Sequence, residues 1–202
     1  MVYVDEAKRL YDSGLDAYRI GEYEEALEAL VRARRLYSEA GDRRSEAAVL
    51  NDIGVVQIQL EQWDEAEDAL DEARTIRLAL KDRSGEAVTL GNLGMMYARQ
   101  GKDEMAMEAY EASIALFREL GERGNEKAVA RQLSKLKVRK GRFLEAIGDY
   151  EAELGDEEAP RGSRKLARAL FRMLGRLTPA GPEAKAEDED VVDLLPEGDD
   201  EA

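Results

Sequence analysis

An all-α solenoid of stacked helical hairpins is the fold class this sequence predicts, on three observations. The first is self-similarity at a period of 40 residues: Gly94 falls on Gly54 and Gly14, and Ala106 on Ala66, Ala26 and Ala146. Gly101 likewise falls on Gly21 and Gly141, and Gly121 on Gly41. The second is that apolar and small residues inside each unit recur at helical spacing. The third is punctuation: glycine and an acid-Arg pair (Asp42-Arg43, Asp82-Arg83, Glu122-Arg123) close each unit and open the next. A fixed period of this length marks units that bury their apolar sides only against their neighbours.

The unit at residues 82–121 shows the reasoning for every element. Leu90, Leu93, Gly94 and Tyr97 follow the i, i+3, i+4, i+7 spacing of one helix face. Gly101 breaks that helix, and Met105, Ala106, Ala109, Tyr110, Ser113, Leu116, Phe117 and Leu120 mark a second. Gly121 suits the left-handed position after a helix, and Glu122, Asp42 and Asp82 suit the start of the next. Each unit is thus two helices of ~18 residues, each about 27 Å long. Gly94 and Ala106 are small where those helices approach closely. The repeat domain runs over 1–154, with repeats at about 3–41, 42–81, 82–121 and a degenerate 122–154. In the second repeat Glu61 and Lys81 replace glycines, and a Lys in a left-handed cap costs about 1 kcal/mol. Trp63 takes the aromatic slot of Tyr23 and Phe143, which packs between helices.

The residues Asn92, Leu93, Gly94, Tyr97, Gly101, Ala106 and Tyr110 form a pattern that resembles the tetratricopeptide repeat. The 40-residue period, closed by Gly-acid-Arg, is similar to the longer-helix subclass of LGN/Pins-type scaffolds and prokaryotic regulators. The resemblance implies a concave groove lined by the first helix of each hairpin. It places Tyr11, Tyr18 and Arg19 there from the first repeat, and Asn51, Asp52, Val55 and Gln59 from the second. Asn92, Met95 and Arg99 follow from the third, and Arg131, Lys135 and Arg139 from the fourth. Arg19, Gln59, Arg99 and Arg139 share one repeat position. Two roles fit Tyr11 and Tyr18, an exposed end cap or a pair of aromatic anchors for a ligand. Two fit Asn92, holding an extended peptide backbone or satisfying a neighbouring helix. The two-lysine, two-asparagine clamp that chaperone-binding relatives use for a terminal carboxylate is not visible at Asn51, Val55, Asn92, Ala128 and Gln132.

Charge is uneven along the chain. From Lys127 to Arg142 there are seven bases and no acid, and from Glu145 to Glu158 seven acids and no base. Arg131, Lys135 and Arg139 stand four residues apart and favour an acidic peptide, unless the hairpin neutralises itself. Residues 155–163 read as a linker. Residues 164–177 read as a short basic amphipathic helix that seals the last repeat, or else meets a membrane surface or partner. Residues 178–202, with ten acids and one Lys, read as a disordered acidic tail carrying one apolar island at Val191–Leu195. The tail is expected either to serve solubility or to dock near Arg99, Arg131, Lys135 and Arg139.

Composition narrows the function. The net charge of −15 argues against nonspecific nucleic-acid binding. With no Cys and no His, disulfides, thiol nucleophiles, imidazole chemistry and the usual zinc sites drop out. No Gly-rich phosphate loop or isolated carboxylate pair appears, so no enzyme and no cofactor are expected. The N-terminal stretch MVYVDEAKRLYDSG lacks a cationic-then-apolar signal, and no run is long enough to span a bilayer. The expectation is a cytoplasmic protein–protein interaction scaffold that holds an acidic or apolar peptide or helix, with self-association or tail docking as further contacts. A sensory or helper subunit of a regulatory complex is the alternative.

Overall fold

In a computed structural model the described residues are 2–142. They form seven α-helices: α1 (Val2–Arg19), α2 (Tyr23–Glu39), α3 (Arg43–Gln59), α4 (Trp63–Leu80), α5 (Arg83–Arg99), α6 (Asp103–Leu120) and α7 (Arg123–Arg139). No strand occurs among them. Each helix is 17 or 18 residues long, so the expected hairpins α1–α2, α3–α4 and α5–α6 are present, and α7 opens the fourth. The second helix of the fourth repeat, the linker, the expected helix over 164–177 and the acidic tail lie outside the described residues.

The small residues do what the repeat required. A Cβ added to Gly14 would sit 2.8 Å from Leu30 Cγ, and one on Gly54 2.6 Å from Leu70 Cγ. On Gly94 it would lie 2.6 Å from the ring of Tyr110. Ala26, Ala66 and Ala106 are fully buried beside these contacts. Leu30, Leu50, Ile58, Leu70, Met96 and Phe117 fill the interior between repeats. Each such side chain contributes roughly 1.5–3 kcal/mol by leaving water. Trp63 and Tyr23 pack half-buried against this interior.

Helix ends follow the sequence with one exception. The Asp42 and Asp82 carboxylates accept from the backbone N–H of Ser45 (3.1 Å) and Gly85 (3.0 Å), capping α3 and α5. Glu122 makes no such cap and accepts from Asn125 Nδ2 at 2.9 Å instead. Its extra methylene carries the carboxylate past the N–H that an aspartate reaches. Glu61 (φ 58°) and Lys81 (φ 57°) occupy the left-handed positions that glycine holds elsewhere.

The first helices of successive hairpins touch one another, α3 on α5 and α5 on α7, while α2, α4 and α6 make no comparable approach. That asymmetry places α1, α3, α5 and α7 on the inner side of the stack. No helix among the described residues is long and apolar enough to cross a membrane.

Candidate functional site

Two polar ladders cross the inner helices, each starting from a tyrosine of α1. The inner ladder is buried. Tyr11 Oη–H donates to Asp52 Oδ2 at 2.7 Å, Asn51 Nδ2 donates to Asp52 Oδ1 at 3.2 Å, and Asn92 Nδ2 donates to Asn51 Oδ1 at 3.0 Å. Asn51, Asp52 and Asn92 are at most 1% exposed. Burial, followed by the Asp52 charge, pushes the Tyr11 phenol far above its ordinary range, so its hydroxyl stays a donor. The outer ladder lies on the rim: Arg99 Nη1 donates to Gln59 Oε1 at 2.7 Å, and Gln59 Nε2 donates to Tyr18 Oη at 3.1 Å. The Tyr18 ring meets that of Tyr23 with centroids 5.5 Å apart.

The expected groove residues therefore divide into two groups. Asn51, Asp52, Val55 and Asn92, expected to face a ligand, are sealed between helices. The first helices pack so closely that side chains on their flanks meet the next helix rather than solvent. Tyr11, Tyr18, Gln59 and Met95 are half-buried, while Arg19, Arg99, Arg131, Lys135 and Arg139 are exposed. The row of equivalent positions is not uniform. Arg19 pairs with Asp16 of its own helix at 2.9 Å. Arg139 reaches back to Asp103 (2.7 Å) and to the Ala98 carbonyl (3.2 Å). Lys140 Nζ lies 2.5 Å from the other Asp103 oxygen. The basic run of the fourth repeat is thus partly spent on an internal staple, one form of the self-neutralisation that its charge pattern allowed. Burial raises the Asp103 carboxyl, but hydrogen bonds from Lys140 and Arg139 outweigh it and hold the group below the usual range.

One functional-looking group escaped the sequence reading. Arg77, 5% exposed, stands at the repeat position of Tyr37 and Phe117. Its Nη1 donates to the Gly85 carbonyl and to Thr89 Oγ1, both at 2.5 Å. Burial depresses its pKa, and the charges of Asp52, Asp82 and Tyr11 oppose that. The signal was available: Gly85 replaces Ser45 and Asn125 of its sister repeats, and Thr89 replaces Val49 and Val129. Three departures at contacting positions announce a polar insert.

Between α5, α6 and α7 lies a small pocket lined by Gly91, Asn92, Met95, Tyr110, Ala128, Val129 and Gln132, with a volume of about 10 Å³. That is room for roughly one water-sized group. Asn92 Oδ1, buried on its wall, accepts no hydrogen bond from any protein group.

Stacked helical hairpins with close small-residue contacts and an inner face threaded by polar side chains define a helical-repeat protein. The tetratricopeptide repeat profile matches residues 5–79 and 85–154, and the chain belongs to the tetratricopeptide repeat family. A comparison with curated proteins found no match. Among solved structures, the chain is similar to BtubC (BKLC) from P. vanneervenii, with 19% identity, a TM-score of 0.64, and coverage of 89% of this chain and 68% of that one. It is similar to aspartyl phosphate phosphatase F from Bacillus subtilis at 15% identity and TM-score 0.72, over 86% of this chain. It spans only 44% of that protein's length. TPR-like repeats from Podosopora anserina, described as nearly identical and of kinesin light chain type, align at 16% identity and TM-score 0.65, covering 88% and 96%. At these identities the likeness is one of fold.

Proposed function

We propose that this chain is a protein-interaction scaffold whose inner face holds an extended or helical segment of a partner protein, acidic or apolar segments being favoured. One observation carries the reading. The buried, unpartnered amide oxygen of Asn92 lines a pocket on the side of α5 that faces α7, the two helices that present Arg99, Arg131 and Lys135 at the surface. A peptide offers both complements at once, main-chain N–H groups for the oxygen and acidic side chains for the cations. Met95, Val129 and the Tyr110 ring supply apolar wall beside them. The reading involves no catalytic step and no cofactor. It places the protein in the cytoplasm, where such a partner is reached directly.

The test is capture of partners by wild-type protein and by the charge-reversed variant Arg99→Glu/Arg131→Glu, both on exposed side chains. The expected result is partner binding weakened at least about tenfold, roughly 1.4 kcal/mol, with the melting temperature nearly unchanged. Equal capture by the two proteins would sink the inner-face assignment.

A further inference from the structure

We infer that Asp52 is a positioning residue that sets, through two intervening amides, the hydrogen-bond polarity of the pocket at Asn92, so that the pocket selects a donor. This rests on the inner-face reading above and specifies the chemistry that face takes.

The argument is one of directionality. An ionised carboxylate offers acceptors only. Asp52 is 1% exposed, and its two oxygens receive Tyr11 Oη–H and Asn51 Nδ2. Asn51 is fully buried and must turn its NH2 branch to Asp52, which leaves its oxygen toward α5. Asn92 must then turn its own NH2 branch to Asn51, at 3.0 Å. A planar amide carries oxygen on the opposite branch. Asn92 Oδ1 is thereby left facing the pocket that Asn92 lines, with no protein donor to satisfy it. Flipping either amide would set donor against donor, or acceptor against acceptor, out of reach of water, at the cost of unmade buried hydrogen bonds. The nearby cation Arg77, itself held charged partly by Asp52, adds an attraction that keeps the negative end of the ladder where it is. The acceptor that meets a ligand between α5 and α7 is therefore specified from the second repeat, one full repeat earlier in the chain. The pocket's size limits the entering group to a small donor head such as a peptide N–H or a primary amine.

Three small probes separate donor recognition from charge and from bulk. Methylammonium is a donor with no acceptor, tetramethylammonium has the same charge and no donor, and dimethyl sulfoxide is an acceptor with no donor. Each is titrated into the ¹⁵N-labelled full chain while the side-chain amides of Asn92 and Gln132 are followed by NMR. Wild type is expected to respond saturably to methylammonium, about fivefold or more above either other probe, the discrimination one buried hydrogen bond supplies. Asp52→Asn removes the acceptor-only constraint and Asn51→Ala cuts the relay, so in each the donor preference collapses toward unity. Tyr11→Phe weakens the ladder's far end without changing what Asp52 requires, so there the preference persists. A purely structural ladder would lower the melting temperature of all three variants and leave selectivity alone.

The inference is overturned if wild type shows no donor preference, if both Asp52→Asn and Asn51→Ala retain it, or if Tyr11→Phe abolishes it. Should one of the two relay variants fail to fold, the other decides. No partner protein enters this measurement, so its failure leaves the scaffold reading intact. Equal partner capture by the charge-reversed variant, with the probe preference present, overturns the scaffold reading alone.

Discussion

Lys81 and Glu61 show how a single residue can depart from a repeat without altering it. Both hold left-handed backbone (φ 57° and 58°) where the sister repeats have glycine, and both side chains are exposed. Replacing Lys81 by Gly removes the steric cost but adds unfolded-chain entropy, for a net gain of about 0.5–1 kcal/mol. A urea titration should show a higher midpoint with an unchanged slope. Gly94 allows no such exchange, because the Tyr110 ring occupies the space of any side chain there. Gly94→Leu should cost about 1–3 kcal/mol or more through overpacking, and an unaltered melting temperature would contradict the hairpin contact itself. Arg77 is the third kind of case, a buried cation in an aromatic slot. Arg77→Ala strands the Gly85 carbonyl and Thr89 hydroxyl and should cost about 1–3 kcal/mol. Arg77→Phe with Thr89→Val restores the pattern of the neighbouring repeat and should be close to neutral or stabilising, as replacing buried charge by packed apolar groups often is. Parallel denaturant curves on the two variants separate these outcomes.

At the scale of the element, α7 is held by more than its apolar face. Val129, Leu133 and Leu136 bury against the preceding hairpin, and at its far end Arg139 and Lys140 clasp Asp103 at the first turn of α6. The same Arg139 reaches the Ala98 carbonyl at the end of α5, so one side chain ties together three helix ends. Because Asp103 titrates below its unfolded value, the stability it contributes is fully present above the ordinary carboxylate range. It is lost as pH falls through the depressed folded value. Asp103→Asn should therefore lower the melting temperature by a few degrees at neutral pH, and the gap from wild type should close as pH drops below about 4. A gap that stayed constant with pH would mean that the clasp contributes through packing alone.

At the scale of the whole molecule, a net charge of −15 acts against compactness, and salt screens self-repulsion. Raising ionic strength toward roughly 0.5 M should raise the melting temperature, since exposed ion pairs offset little of that repulsion. Binding of an acidic partner segment by Arg99 and Arg131 should weaken over the same range without vanishing, because the apolar wall of the pocket does not respond to screening. The two opposite responses are read on one sample series by thermal melts and by partner titration. A partner affinity that rose with salt would shift the weight of recognition to apolar contact.

The architecture was legible in the sequence because a repeat writes each packing requirement several times. Gly54 and Gly94, Ala66 and Ala106, and the Asp42 and Asp82 caps are local demands of helix contact and helix ends, and they recur at 40 residues. Residue types also placed Asn51, Asp52 and Asn92 on the correct helices. Only the tertiary structure decided that they are buried against one another rather than open to a ligand, since helix periodicity gives a direction but not the distance to the next helix. The same holds for Arg139, whose spacing suggested a free groove cation and whose partner Asp103 lies a whole hairpin away in sequence. The polarity of the Asn92 pocket belongs wholly to the folded state. It depends on which atom of each amide faces which, and a carboxylate one repeat distant settles that only once the helices are packed.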